Sequence, residues 1–226
     1  ACAGAGAVGL ATSSTGDRIA VVNTDGLLRL FSGRTLKPQG EPITTGLRVG
    51  EICDAQVAFS PDGGWLAVAN GNSFSGYNSR FIGKTVVLFE HTHDGWRPGP
   101  PLIGHRVRVG ALAFSKDSSI LATGSLAGAD PKNDPGVVVL HDVHTGETVR
   151  SIPTIGDLFS LALDWDHHRV VVGSLGRDTL VYDTESGDKY QSINGLGTVT
   201  RPTYNTDWTQ LAVTGSAGLR RFDAAT

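Results

Sequence analysis

Four side chains within five positions, Asp164, Asp166, His167 and His168, form the densest group of potential metal ligands or acid–base residues in the chain. Carboxylate oxygen and imidazole nitrogen suit divalent ions, but these positions fall in a short turn, where acidic and polar residues are favoured for turn geometry alone, and no matching third ligand set accompanies them. His91 and His93, followed by Asp94, place two imidazoles on one face of an extended segment, again next to a loop. Gly83-Lys84-Thr85 has the ending of a phosphate-binding loop. The Gly that loop needs at position 78 is Asn78, however, and Val86-Val87-Leu88-Phe89 reads as a strand where a helix should open. No GxSxG, no HExxH and no recognisable cysteine signature occurs, so nucleophilic and zinc-hydrolase chemistry find no linear support. The reading is a non-enzyme without catalytic, cofactor or metal residues.

What holds these residues is a repeat. Val57 to Val68, VAFSPDGGWLAV, reads as strand, turn and strand. The same pattern returns as LATSSTGDRIAV (Leu10 to Val21), LAFSKDSSILAT (Leu112 to Thr123), LALDWDHHRVVV (Leu161 to Val172) and PTYNTDWTQLAV (Pro202 to Val213). The anchors Ile19, Leu66, Leu121, Val170 and Leu211 are 47, 55, 49 and 41 residues apart, the period of propeller blades once two insertions are allowed for. An all-β propeller of four-stranded antiparallel blades is predicted, with units over about 7–43, 54–103, 109–152, 158–193 and 199–223, the last lacking a fourth strand.

Composition agrees. Thirty glycines in 226 residues, about twice the usual share, suit an array of hairpins. A formal net charge of −3 offers no basic field for nucleic acid or an anionic membrane, and no apolar run approaches the length of a membrane span. Cys2 and Cys53 are too few for a disulfide scaffold, so reduced thiols and a cytoplasmic setting are expected. The chain contains no Met, and it is expected to be part of a longer one.

The succession of apolar strand, Ser-Pro-Asp-Gly turn, Leu-Ala-Val strand, Asp-Gly turn and Val-Leu-Phe strand, with Gly104-His105 before the next unit, resembles the WD40 repeat. The linkers Gly40-Glu41-Pro42-Ile43 and Gly99 to His105 resemble those of propellers in large actinobacterial signalling and transcription-regulatory proteins. Where the family ends its third strand in Trp-Asp, this chain has Phe31-Ser32, Phe89-Glu90, His141-Asp142, Tyr182-Asp183 and Phe222-Asp223. The resemblance implies that only the third unit approaches the family's hydrogen-bonded tetrad, through His105, Thr123, Asp134 and His141. Stability is then expected to rest mainly on apolar burial between blades.

Two insertions, Gly71 to Gly83 and Leu126 to Pro135, occupy the same loop position in neighbouring units, on the side where Gly104 to Arg108 links them. Phe74, Tyr77, Arg80 and Phe81 are the residue types enriched at interface hot spots, His105, Arg106 and Arg108 come from the link, and Asp130, Lys132, Asn133 and Asp134 suit a polar rim. Long surface loops that do nothing are the competing reading, since insertion there is tolerated cheaply. The function expected is a protein-interaction scaffold or sensor module within a larger bacterial regulatory protein. The alternatives are a closed five-bladed ring binding a small ligand or glycan in its channel, and a propeller hydrolase or lactonase.

Overall fold

The computed structural model describes residues 6–47, 55–70, 86–105, 107–125, 136–155, 158–174, 178–198 and 200–224. These are organised as five antiparallel sheets. Blade 1 comprises β1 (Ala7–Thr12), β2 (Arg18–Asn23), β3 (Leu27–Ser32) and the two-residue β4 (Ile43–Thr44); blade 2 comprises β5 (Gln56–Phe59), β6 (Trp65–Ala69), β7 (Val86–Thr92) and β8 (Gly95–Pro98). In blade 3 the strands are β9 (Val109–Phe114), β10 (Ile120–Ser125), β11 (Gly136–Asp142) and β12 (Thr148–Thr154). Blade 4 holds β13 (Leu158–Asp164), β14 (Arg169–Ser174), β15 (Thr179–Asp183) and β16 (Lys189–Ile193), and blade 5 holds β17 (Arg201–Tyr204), β18 (Gln210–Gly215) and β19 (Gly218–Asp223). Each sheet is a meander in chain order, and the fifth has three strands among the described residues. Among the described residues no helix is long and apolar enough to cross a membrane.

In four of the five units the first turn repeats its chemistry as well as its length. Ser60 Oγ accepts the Trp65 amide at 2.8 Å and donates to Asp62, which in turn accepts the Gly64 amide at 2.9 Å. Ser115 accepts the Ile120 amide at 2.9 Å, Ser13 accepts that of Arg18 at 3.1 Å, and Asn205 accepts that of Gln210 at 2.9 Å. Side-chain oxygens of this kind compete for backbone amides and so fix turns. Neighbouring turns are also latched together, Ser14 donating to the Pro61 carbonyl at 2.6 Å and the Asp62 amide to Ser118 Oγ at 3.2 Å.

The core lies between blades. One face of the second strand, carrying the repeat anchors, packs against the preceding blade, and the other face packs against the following one. Leu66, Val68 and Phe89 of blade 2 meet Ala20, Val22, Leu28 and Leu30 of blade 1. Trp65, Ala67 and Leu88 meet Leu121 and Phe114 of blade 3. Ile120, Ala122, Val138 and Leu140 meet Val170, Val172 and Tyr182 of blade 4, whose Val171 and Val181 meet Leu211 and Val213 of blade 5. Among the described residues no apolar cluster joins blade 5 to blade 1, as a closed five-bladed ring would require.

Blades approach closely enough to demand glycine at Gly173. A Cβ there would overlap the Thr200 carbonyl oxygen and the Ser160 hydroxyl. Ser160 Oγ itself donates to that carbonyl at 2.8 Å, so the gap between blades 4 and 5 is closed by backbone.

Candidate interaction surface

Each blade presents its second-to-third-strand loop and its outgoing link at one end of the sheet, and its first and third turns at the other. The loop end is where the two insertions emerge, between β6 and β7 and between β10 and β11. Phe74, Tyr77, Arg80, Phe81, Arg106, Asp130, Lys132, Asn133 and Asp134 lie outside the described residues, as do Gly83-Lys84-Thr85 and both cysteines. The stretch after that Gly-Lys-Thr is strand, β7, which removes the helix a phosphate-binding loop opens.

His105 is placed by the link into the interface between blades 2 and 3. Its Nε2 lies 2.6 Å from Thr123 Oγ1, and Thr123 Oγ1 lies 3.1 Å from His141 Nε2. The Thr123 hydroxyl also reaches the Val139 carbonyl at 3.2 Å. One hydroxyl proton serves one acceptor, so with that proton on Val139 both Nε2–H groups donate to Thr123 and each Nδ1 is a bare acceptor. Neither His105 Nδ1 nor His141 Nδ1 has a hydrogen-bond partner among the described residues. Burial, together with the neighbouring His141, pushes the His105 pKa down to about 3, and burial pushes that of His141 down to about 4. Three members of the tetrad implied by the repeat are therefore assembled as a neutral brace that ties the incoming link to blade 3, with imidazole where the family has indole.

Ile103, in the link from blade 2 to blade 3, is 72% exposed, and Ile155, in the link from blade 3 to blade 4, is 55% exposed. In the outer two links the corresponding apolar residues, Leu47 and Leu196, are buried. An open groove of about 630 Å³ runs along blade 4, lined by Ile155, Asp178, Leu180, Lys189, Ser192 and Gly195. Neither Ile155 nor this groove was among the residues singled out from sequence; the exposure of the two isoleucines follows from link geometry, which a period of apolar residues does not encode.

At the opposite end, the acidic and histidine turns are structural. Asp164 does not sit on an exposed turn. It extends β13, is 5% exposed, and accepts the His167 amide at 3.2 Å while His167 Nδ1 lies 2.9 Å from its Oδ2. Burial, then the Asp164 carboxylate, pushes the Tyr204 phenol of blade 5 above its ordinary range. His168 faces Glu185 at 3.6 Å and Trp165, His91 packs at a tilt against Trp96 with ring centroids 4.9 Å apart, and His93 pairs with its neighbour Asp94. Among the described residues no group of three or more His, Cys, Asp or Glu converges to hold a metal ion. The third-strand acids have a different task, since Asp142 accepts the amides of His144 and Thr145, and Asp183 those of Glu185 and Ser186.

Comparison with known proteins agrees with this architecture. The family model described as "WD domain, G-beta repeat" matches residues 97–130. WD repeat-containing protein 1 of Mus musculus and that of Bos taurus are each 32% identical to the chain over 113 residues, 49% of this chain and 16% of the relative. The chain thus spans about a sixth of the length of these relatives. The crystal structure of the computationally designed Ika8 protein superposes on 97% of this chain and 59% of its own with a TM-score of 0.65 at 16% identity.

Proposed function

Because this chain is built from WD40 repeats, we propose that it is a non-enzymatic protein-interaction scaffold, working as a sensor or recruitment module of a larger signalling or transcription-regulatory protein. WD40-repeat proteins generally act as interaction scaffolds; the bacterial regulatory setting is drawn from the linkers that resemble those of actinobacterial regulators, and the cytoplasmic one from the two cysteines, too few for a disulfide scaffold. The observation that carries the reading is the pair Ile103 and Ile155, left in solvent at the two links that follow the blades with enlarged loops. The exposed Ile103 and Ile155, together with Phe74, Tyr77, Arg80 and Phe81 and the polar Asp130, Lys132, Asn133 and Asp134 in the sequence of the two insertions, give the composition of a protein-binding patch. The blades beneath are held by buried apolar contacts, so the patch is presented on a rigid base and binding requires little backbone change.

Site-specific photo-crosslinking tests this. A photoreactive residue placed at Phe74, Phe81, Ile103 or Ile155 is expected to capture a discrete protein partner in cells, whereas one placed at Asp94 or Asp166, at the opposite end, is not. Equal capture from both ends, or none from the loop end, would reject the assignment.

A further inference from the structure

Asparagine followed by glycine is the dipeptide in which a main-chain amide attacks the preceding side chain most readily, since glycine puts no Cβ in the way. The chain contains two, Asn70-Gly71 and Asn194-Gly195, and the fold treats their asparagines differently. Asn70 directly follows β6 and is 4% exposed, and its Oδ1 accepts the Val109 amide of blade 3 at 3.3 Å, so its carboxamide is buried and tied. Asn194 lies just past β16 in the link from blade 4 to blade 5, and both it and Gly195 are exposed. Among the described residues neither the Asn194 carboxamide nor the Gly195 amide has a hydrogen-bond partner. Glycine is required there by the turn, whose φ of 78° would strain any side chain.

We propose that Asn194 is a site of spontaneous deamidation. The Gly195 nitrogen, giving up its proton to solvent, bonds to Asn194 Cγ; the bond from Cγ to the side-chain nitrogen breaks, and ammonia leaves a cyclic succinimide. Water then opens the ring. Opening on one side gives aspartate, and on the other isoaspartate, whose main chain runs through the side-chain carbons and is one atom longer. Ile193 and Leu196, on either side of the pair, are 5% and 3% exposed and belong to the apolar cluster that reaches Leu211 and Val213 of blade 5. An extra main-chain atom between two such anchors works against close packing in that cluster. The new carboxylate arises beside Arg220, a guanidinium nitrogen of which lies 3.4 Å from where a Cβ on Gly195 would stand and which has no carboxylate partner among the described residues. Gly195 also lines the groove along blade 4, so the modification changes the charge of that surface.

Peptide mapping by mass spectrometry of the purified protein, stored at mildly alkaline pH and sampled over weeks beside a urea-unfolded portion, provides the test. In the folded protein the mass gain of amide-to-acid conversion is expected at Asn194, as two products separable by chromatography. Conversion at Asn70 is expected to be at least about tenfold slower, because that residue reacts only when the fold opens. In the unfolded portion both asparagines convert at comparable rates. Asn194→Gln, whose longer side chain closes the ring far more slowly, is expected to keep its mass at that position and its melting midpoint on storage, while the midpoint of the parent falls. Retention of the Asn194 amide in the folded protein, with loss in the unfolded one, would overturn the proposal. So would conversion of both asparagines at one rate in the folded protein, which would trace the chemistry to unfolding rather than to the exposed link.

Discussion

At the scale of single residues, the His105–Thr123–His141 brace makes stability depend on pH. A histidine whose folded pKa lies below its unfolded value stays neutral in the fold, so unfolding takes up protons once pH falls below about 6.5. Stability is then complete above that pH and is lost progressively towards the folded values of about 4 and about 3. For two such groups the loss between pH 7 and pH 5 is roughly 4 kcal/mol. His141→Phe, which keeps an aromatic ring in place, is expected to remove about half of that dependence in urea titrations at the two pH values; an unchanged dependence would contradict the buried neutral pair. Gly173 offers a steric counterpart. Gly173→Ala forces the Thr200 carbonyl away and is expected to cost about 1–3 kcal/mol, read as a lowered urea midpoint at unchanged slope.

At the scale of elements, the blades were legible because the signal was redundant. Alternating apolar residues, a short polar turn and a shared anchor recur five times, and all five hairpins form where they were expected. The turn residues that suggested chemistry, such as Asp164, were read correctly as turn formers but placed wrongly. The same position is buried in units 1 to 3, at Ser13, Ser60 and Ser115, so the first turn tucks this side chain inward in unit 4 as in its neighbours. Burial of a polar turn residue is not specified by the spacing of apolar residues. His105, Thr123 and His141 were legible as a set because Gly-His and the third-strand aromatic position carry the repeat's pattern. Ile103 and Ile155 were not, since their exposure is set by how each link crosses between blades. The hydrogen-bonded turns also carry a prediction. Ser115→Ala frees the buried Ile120 amide and is expected to destabilise the chain by about 1 kcal/mol or somewhat more, whereas Ser14→Ala, at the exposed latch to Pro61, should change little.

At the scale of the molecule, stability and recognition occupy different places. The apolar clusters lie between blades and hold the row together, drawing on strand residues and, from the links, on Leu47, Ala55 and Leu196. A scaffold divided in this way can exchange its binding loops without refolding, because loop closure costs little and the sheets fold on their own contacts. The most direct test is to replace residues 71–85 and 126–135 together by short Asn-Gly turns and to measure both thermal unfolding and the affinity for the partner captured at the loop end. The melting midpoint is predicted to stay within a few degrees of the parent while binding is lost. Full binding by a stably folded variant would contradict the account and move recognition to another part of the blades.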